Sequence, residues 1–133
     1  MKLLFLLIPV VLYGLQMSNL VSIYDGDTFT VNLSCSEEVL CSKMPIRVKG
    51  VDTPEIKGKS EAEKNLAKKA KEYTKSFLSR PNIVLQNCTR DKFFRLDCYV
   101  ISGERNLTKE LIEKRLGVSY HGGSKVTDWA TFK

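Results

Sequence analysis

One long helical pattern divides this chain, and strand-like patterns lie on both sides of it. Ser60 with Glu63 three residues later forms a capping box, Ala62, Leu66, Ala70, Tyr73 and Phe77 recur at helical spacing, and Pro81 stops the run. Before the helix, Leu20–Tyr24 reads as a short strand entering the turn Asp25-Gly26. Thr28–Leu33 alternates strictly, which predicts a strand with Phe29, Val31 and Leu33 on one face. Pro45–Val51 predicts a third strand, with Ile46 and Val48 on the core side and Arg47 and Lys49 on the other. Beyond the helix, Ile83–Cys88 and Arg95–Ser102 predict two more strands, joined by the basic turn Thr89-Arg90-Asp91-Lys92-Phe93-Phe94. A second helix spans about Leu107–Leu116, with Gly117 as its C-cap. Five short strands with a helix between the third and fourth is the element order of a five-stranded Greek-key barrel, in an α+β class that is mainly β. A chain of 133 residues has room for one such core. The tail from His121 is polar and turn-rich, with Trp129 its only large anchor.

The N-terminus reads differently. Lys2 precedes an unbroken apolar run from Leu3 to Leu15, short for a bilayer span but suited to the core of an export signal. Residues 1–17 are therefore assigned to a signal peptide or an uncleaved N-terminal anchor, and 18–133 to the folded domain. No Ala-x-Ala pattern follows the run, so both outcomes stay open. Cleavage gives a secreted or periplasmic protein, and an uncleaved run would attach it to a membrane. Export makes the four cysteines a disulfide set. Cys35 and Cys41 flank the polar stretch Ser36-Glu37-Glu38, and Cys88 and Cys98 lie symmetrically about Phe93. A hairpin turning near Phe93 would bring the second pair within roughly 5 Å, so Cys35–Cys41 and Cys88–Cys98 are the expected bridges.

The chemistry-bearing residues fall in two acidic clusters, Asp25-Gly26-Asp27-Thr28 and Asp52-Thr53-Pro54-Glu55, with Arg47 five residues before the second. Either cluster alone is an ordinary turn. Together they offer hard oxygen donors to a hard divalent cation, and the arginines offer a guanidinium fork to a phosphate. Asp27 and Asp52 would each give a carboxylate to one cation, leaving Glu55 to orient or deprotonate a water, while Arg47 and Arg95 grip a phosphate. The chain has one histidine and lacks a His-Glu-x-x-His motif, a glycine-rich phosphate loop and zinc-like cysteine spacing. Its 21 Lys+Arg against 15 Asp+Glu, a net charge of +6, suit an anionic partner such as nucleic acid. The helix lysines Lys64, Lys68, Lys71 and Lys75 read as a solvated face.

On "YDGDT", "RVKGVDTPE", "DKFFR" and "NLTKELIEKRLG" followed by a tyrosine, in that order from about Leu20 to Tyr120, the chain resembles the staphylococcal nuclease-like (thermonuclease) family. The resemblance implies an OB-type barrel with two helices and cleavage of DNA and RNA with Ca2+, leaving 3′-phosphate ends. It implies Asp27, Asp52 and the Thr53 carbonyl as metal ligands, Asp25 behind them, and Glu55 as general base. Arg47 and Arg95 match the phosphate-binding arginines, and Lys92 and Tyr120 match substrate contacts. The chain departs from the pattern at Phe93, where tyrosine is frequent, and at Phe94, where glycine is frequent. The loop after Glu55 is short, and the C-terminal helix is reduced or absent in the tail.

The resulting expectation is a monomeric Ca2+-dependent endonuclease of low sequence specificity, with DNA and RNA as substrates and no protein partner implied. Two other readings compete: a non-catalytic single-stranded nucleic-acid-binding module on the same barrel, and an interaction domain with a fortuitous carboxylate cluster. His121 has no partner in the catalytic pattern and reads as a rim or structural residue.

Overall fold

The computed structural model describes residues 14–35 and 41–133. Nearly all of the apolar run from Leu3, and the stretch Ser36-Glu37-Glu38, lie outside the described residues. The elements are β1 (Leu15–Asp25), β2 (Thr28–Leu33), β3 (Met44–Val48), β4 (Val51–Asp52), α1 (Glu61–Leu78), β5 (Ile83–Arg90), β6 (Leu96–Ser102), β7 (Arg105–Asn106), α2 (Leu107–Glu113) and β8 (Val118–Ser119). β1, β2 and β3 form an antiparallel meander, and β1 and β6 flank β5 antiparallel. A parallel pairing of β3 with β6 closes the ring. Among the described residues the result is a five-stranded closed barrel of OB type with two helices, mainly β, as expected.

β2 has the predicted bounds, and Phe29, Val31 and Leu33 are its buried residues. They pack inside the barrel with Ile46, Val48, Ile83, Leu85 and Val100, and Leu107 and Leu111 of α2 and Phe77 of α1 join the same core. β1 is longer than expected. It begins at Leu15, three residues inside the segment assigned above to export, and its half-buried residues Met17, Leu20 and Ile23 recur every third position. Three register shifts against β2 explain that spacing, because each bulge inserts a residue and bends the strand. The bend lets the start of β1 pair with β5 (Leu15↔Leu85, Gln16↔Val84) while the rest pairs with β2. The third predicted strand is two: β3 ends at Val48, and Gly50, at a φ of 84°, turns the chain into β4.

Ser60 caps α1 as predicted, its Oγ accepting from Glu63 N at 3.1 Å. The reciprocal half of the box is different. The Glu63 carboxylate accepts from Lys59 N at 2.9 Å and Glu55 N at 3.4 Å, so it holds the loop leading out of the second acidic cluster. The buried face of α1 is Glu63, Ala67, Ala70, Thr74 and Phe77, with Ala62 exposed and Leu66 only half-buried. α2 ends three residues early in a Schellman turn. Leu116 N donates to Leu111 O and Arg115 N to Ile112 O, with Arg115 in the left-handed region at φ 60°. Gly117 is therefore not the cap; a Cβ there would lie 2.7 Å from Val51 Cγ2, so its role is close approach to β4.

The hairpin of β5 and β6 turns about Phe93, with Thr89 opposite Asp97 and Arg90 opposite Leu96. Cys88 bonds to Cys98 beside a bulge, and Cys35 bonds to Cys41, with Cα separations of 4.3 and 6.1 Å. Phe94 takes a left-handed backbone at φ 60°, so the turn keeps a shape for which glycine is the ordinary residue. Among the described residues no helix is long and apolar enough to cross a membrane.

Gly26 fixes how α1 meets the turn between β1 and β2. A Cβ there would stand 2.8 Å from Ala70 Cβ and 2.9 Å from Thr53 Cγ2. Gly26→Ala is expected to destabilise the protein by about 1–3 kcal/mol, the usual cost of overpacking, read from the denaturant midpoint at constant slope.

Candidate active site

The first acidic cluster is a tight turn wired to its surroundings. Asp25 Oδ1 accepts from the Thr28 hydroxyl and from Asp27 N at 3.3 Å. Thr74 of α1 donates its hydroxyl to Gly26 O at 2.6 Å, and Val48 N donates to Asp27 O at 2.8 Å. The Asp27 side chain leaves this turn toward the second cluster, where Oδ2 accepts from Thr53 N at 3.0 Å. The two clusters thus form one site.

Arg47 stands on the side of β3 opposite Ile46 and Val48, as its alternation predicts, yet that side is covered. Its side chain is 11 % exposed, with Nη1 donating to Val48 O at 2.7 Å and Val51 O at 2.9 Å and lying 3.5 Å from Asp27 Oδ2. Arg95 approaches from the hairpin. Asp91 accepts from Arg95 Nε at 2.8 Å, from Arg95 N at 3.0 Å and from Phe93 N at 2.9 Å, which fixes the guanidinium and its turn together. Burial works against the Asp91 carboxylate, but these donors hold its pKa below the ordinary range. The Phe93 ring lies 5.1 Å from both the Arg95 guanidinium and Lys92 Nζ. Pairing of β4 with β8 delivers Tyr120, whose ring centre is 5.8 Å from the Arg47 guanidinium and whose N–H donates to Gly50 O.

Three concavities meet here. A cleft of about 650 Å³ is shared by Arg47, Lys92, Phe93, Arg95 and Tyr120. A recess of about 330 Å³ is lined by Asp25, Asp27, Arg47, Glu55 and Arg95. Asp52 opens onto a neighbouring recess with Glu55, Lys59, Glu63 and Trp129, and both recesses share Glu55 and Lys125. The predicted catalytic, metal and substrate residues, drawn from separate stretches of sequence, therefore line three recesses that share walls at Arg47, Arg95 and Glu55, except Thr53, which is buried. His121 sits exposed on the rim, 3.2 Å from the Ser119 hydroxyl. Sequence reasoning missed Lys125, whose Nζ lies 3.0 Å from Asp52 Oδ1 and 3.8 Å from Glu55 Oε1. A lysine in a polar tail carries no signal that it folds onto carboxylates 70 residues away in the chain.

The electrostatics are those of acids short of positive charge. Burial first, then the Asp25 carboxylate, push Asp27 up to about 7 against the pull of Arg47 and the Thr53 N–H. Burial also raises Asp52, with Lys125 opposing, and raises Glu55, with the Asp27 charge adding to the effect. Burial disfavours the Lys125 ammonium, but contact with Asp52 outweighs it and holds the pKa above the ordinary lysine value. Among the described residues no three acidic, histidine or cysteine side chains converge closely enough to hold a metal ion as they stand. The donors nevertheless fit one chemically. Asp52 Oδ1, with Lys125 Nζ at 3.0 Å, and Thr53 Oγ1, which has no hydrogen bond, are buried oxygens. Hard oxygens of this kind suit a hard divalent cation such as calcium.

A comparison with protein families matches residues 45–128, more than half of the chain, to the family described as staphylococcal nuclease homologue. No curated protein matches the chain.

The raised Asp27 pKa has a measurable consequence. Its carboxyl keeps a proton in the folded state that the unfolded chain has lost, so it costs the metal-free protein stability progressively as pH rises from 3.8 to about 7. Asp27→Asn is expected to stabilise the chelated protein at pH 8 by on the order of 1–2 kcal/mol and to flatten the fall in thermal midpoint across that window. An unchanged midpoint at pH 8 would show that the buried charge costs nothing.

Proposed function

The chain belongs to the staphylococcal nuclease homologue family, and on that footing we propose that it is a Ca2+-dependent endonuclease that cleaves DNA and RNA with low sequence specificity, leaving 3′-phosphate ends. The observation that carries this reading is the convergence of Asp27, Glu55, Arg47 and Arg95 on one recess, from four separate stretches of sequence.

Asp27 and Asp52, with the Thr53 carbonyl, are the residues that would hold the calcium ion. When bound, the ion supplies charge that offsets the carboxylates and polarises a phosphate oxygen. The remaining work belongs to the side chains. Both hydrogen bonds given by Arg47 leave from Nη1, so its second terminal nitrogen is left to meet a phosphate oxygen. Arg95, held by Asp91, meets the same phosphate from the other side, and the pair offsets the negative charge that builds as oxygen attacks phosphorus. Glu55 is half exposed and its pKa is raised, which suits a carboxylate that takes a proton from the attacking water near neutral pH. Asp25 holds the turn that presents Asp27. Lys92 and Tyr120 flank the larger cleft, where the rest of the substrate would lie.

The two disulfides support an oxidising compartment, which fits a secreted or periplasmic protein, or a membrane-anchored one where residues 1–17 are retained. Digestion of single- and double-stranded DNA and RNA with calcium, magnesium or excess chelator tests the reading. Cleavage with calcium, 3′-phosphate ends and loss of activity in chelator are expected. Glu55→Gln is expected to lower the rate by about 10²–10⁴-fold with substrate affinity largely kept. Binding without cleavage would favour the nucleic-acid-binding module instead.

A further inference from the structure

Lys125 has no part in the reaction just described, yet its ammonium stands in the middle of the acids. It lies 3.0 Å from Asp52 Oδ1 and 3.8 Å from Glu55 Oε1, and 5.6 Å from the centre of the Tyr120 ring. With Glu55 it is common to both recesses, so it occupies the boundary between the Asp27 side and the Asp52 side.

The approach of Lys125 is built rather than incidental. Gly122 and Gly123 take left-handed φ values of 102° and 84°, which few other residues adopt, and turn the tail back over the site. Tyr120 Oη donates to Gly123 O at 2.6 Å on one side of Lys125, and Trp129, 8 % exposed, anchors the chain on the other. The side chain itself is 46 % exposed, so its long stem can swing into water without unfolding this arch.

An ammonium at this point meets the need a divalent cation would meet, since it offsets carboxylate charge removed from water. Both cannot use Asp52 Oδ1 together. We propose that Lys125 is an internal cation that competes with the metal for Asp52 and thereby sets the affinity of the site for divalent ions. The inference rests on the metal-dependent reading above. Because coupling between ligands is reciprocal, metal entry weakens the hold of Asp52 on Lys125 as much as Lys125 weakens the hold on the metal. An arriving cation therefore frees a lysine at the mouth of a site that handles phosphates.

Isothermal titration calorimetry with calcium, on the full chain and on K125M and K125R, tests the proposal, with thermal midpoints in chelator confirming that each variant is folded. K125M is expected to bind calcium about tenfold more tightly than the unsubstituted chain, and K125R, which keeps the charge, to stay close to it. Equal or weaker binding by K125M overturns the competition while leaving the metal-dependent reading intact. Absence of calcium binding in all three proteins, with D52N indistinguishable from them, overturns that reading and the inference with it.

Discussion

The candidate site depends on a single hydrogen bond from Thr53 N–H to Asp27 Oδ2, 3.0 Å long and buried. It joins two turns 26 residues apart, so that Asp27 and the second acidic cluster face one another, while Arg95 is placed by its own hairpin and Lys125 by the tail. Gly26 lets α1 and Thr53 press against the first turn from both sides. Val48 N–H ties the same turn to the end of β3, which brings Arg47 alongside Asp27. Without that bond the barrel would still have its apolar interior, but its acids would belong to separate loops.

The same compactness creates an imbalance of charge. Asp27 and Asp52 are buried, Glu55 lies near them, and burial resists ionisation of all three. Arg47 and Lys125 offset only part of this. The buried Oδ1 of Asp52 has the half-exposed Lys125 ammonium as its partner, at 3.0 Å. Such an arrangement stabilises a fold poorly, because carboxylates taken out of water resist carrying their charge.

Much of this was legible in the sequence wherever the signal was local. β2 alternates cleanly because it runs straight, with one face in the barrel, and the spacing of Cys88 and Cys98 revealed their hairpin because its arms are symmetric about Phe93. β1 was read as five residues instead of eleven because its bulges replace a two-residue period with a three-residue one. The buried face of α1 was displaced from the apolar one because Glu63 and Thr74 turn inward to serve the loops rather than the core. Both acidic clusters and both arginines were identifiable by type, but Lys125 was not. Its meaning lies wholly in a contact made by the folded tail.

The early start of β1 makes its first residues part of the closure of the barrel. Leu15 and Gln16 are the residues through which β1 reaches β5, so this seam of the barrel is sewn by the last residue of the apolar run and the one after it. Proteolytic trimming that reaches Met17 would remove those rungs and leave β5 with an open edge. Leu15 and Gln16 thus belong to the barrel wall as much as the residues that follow them.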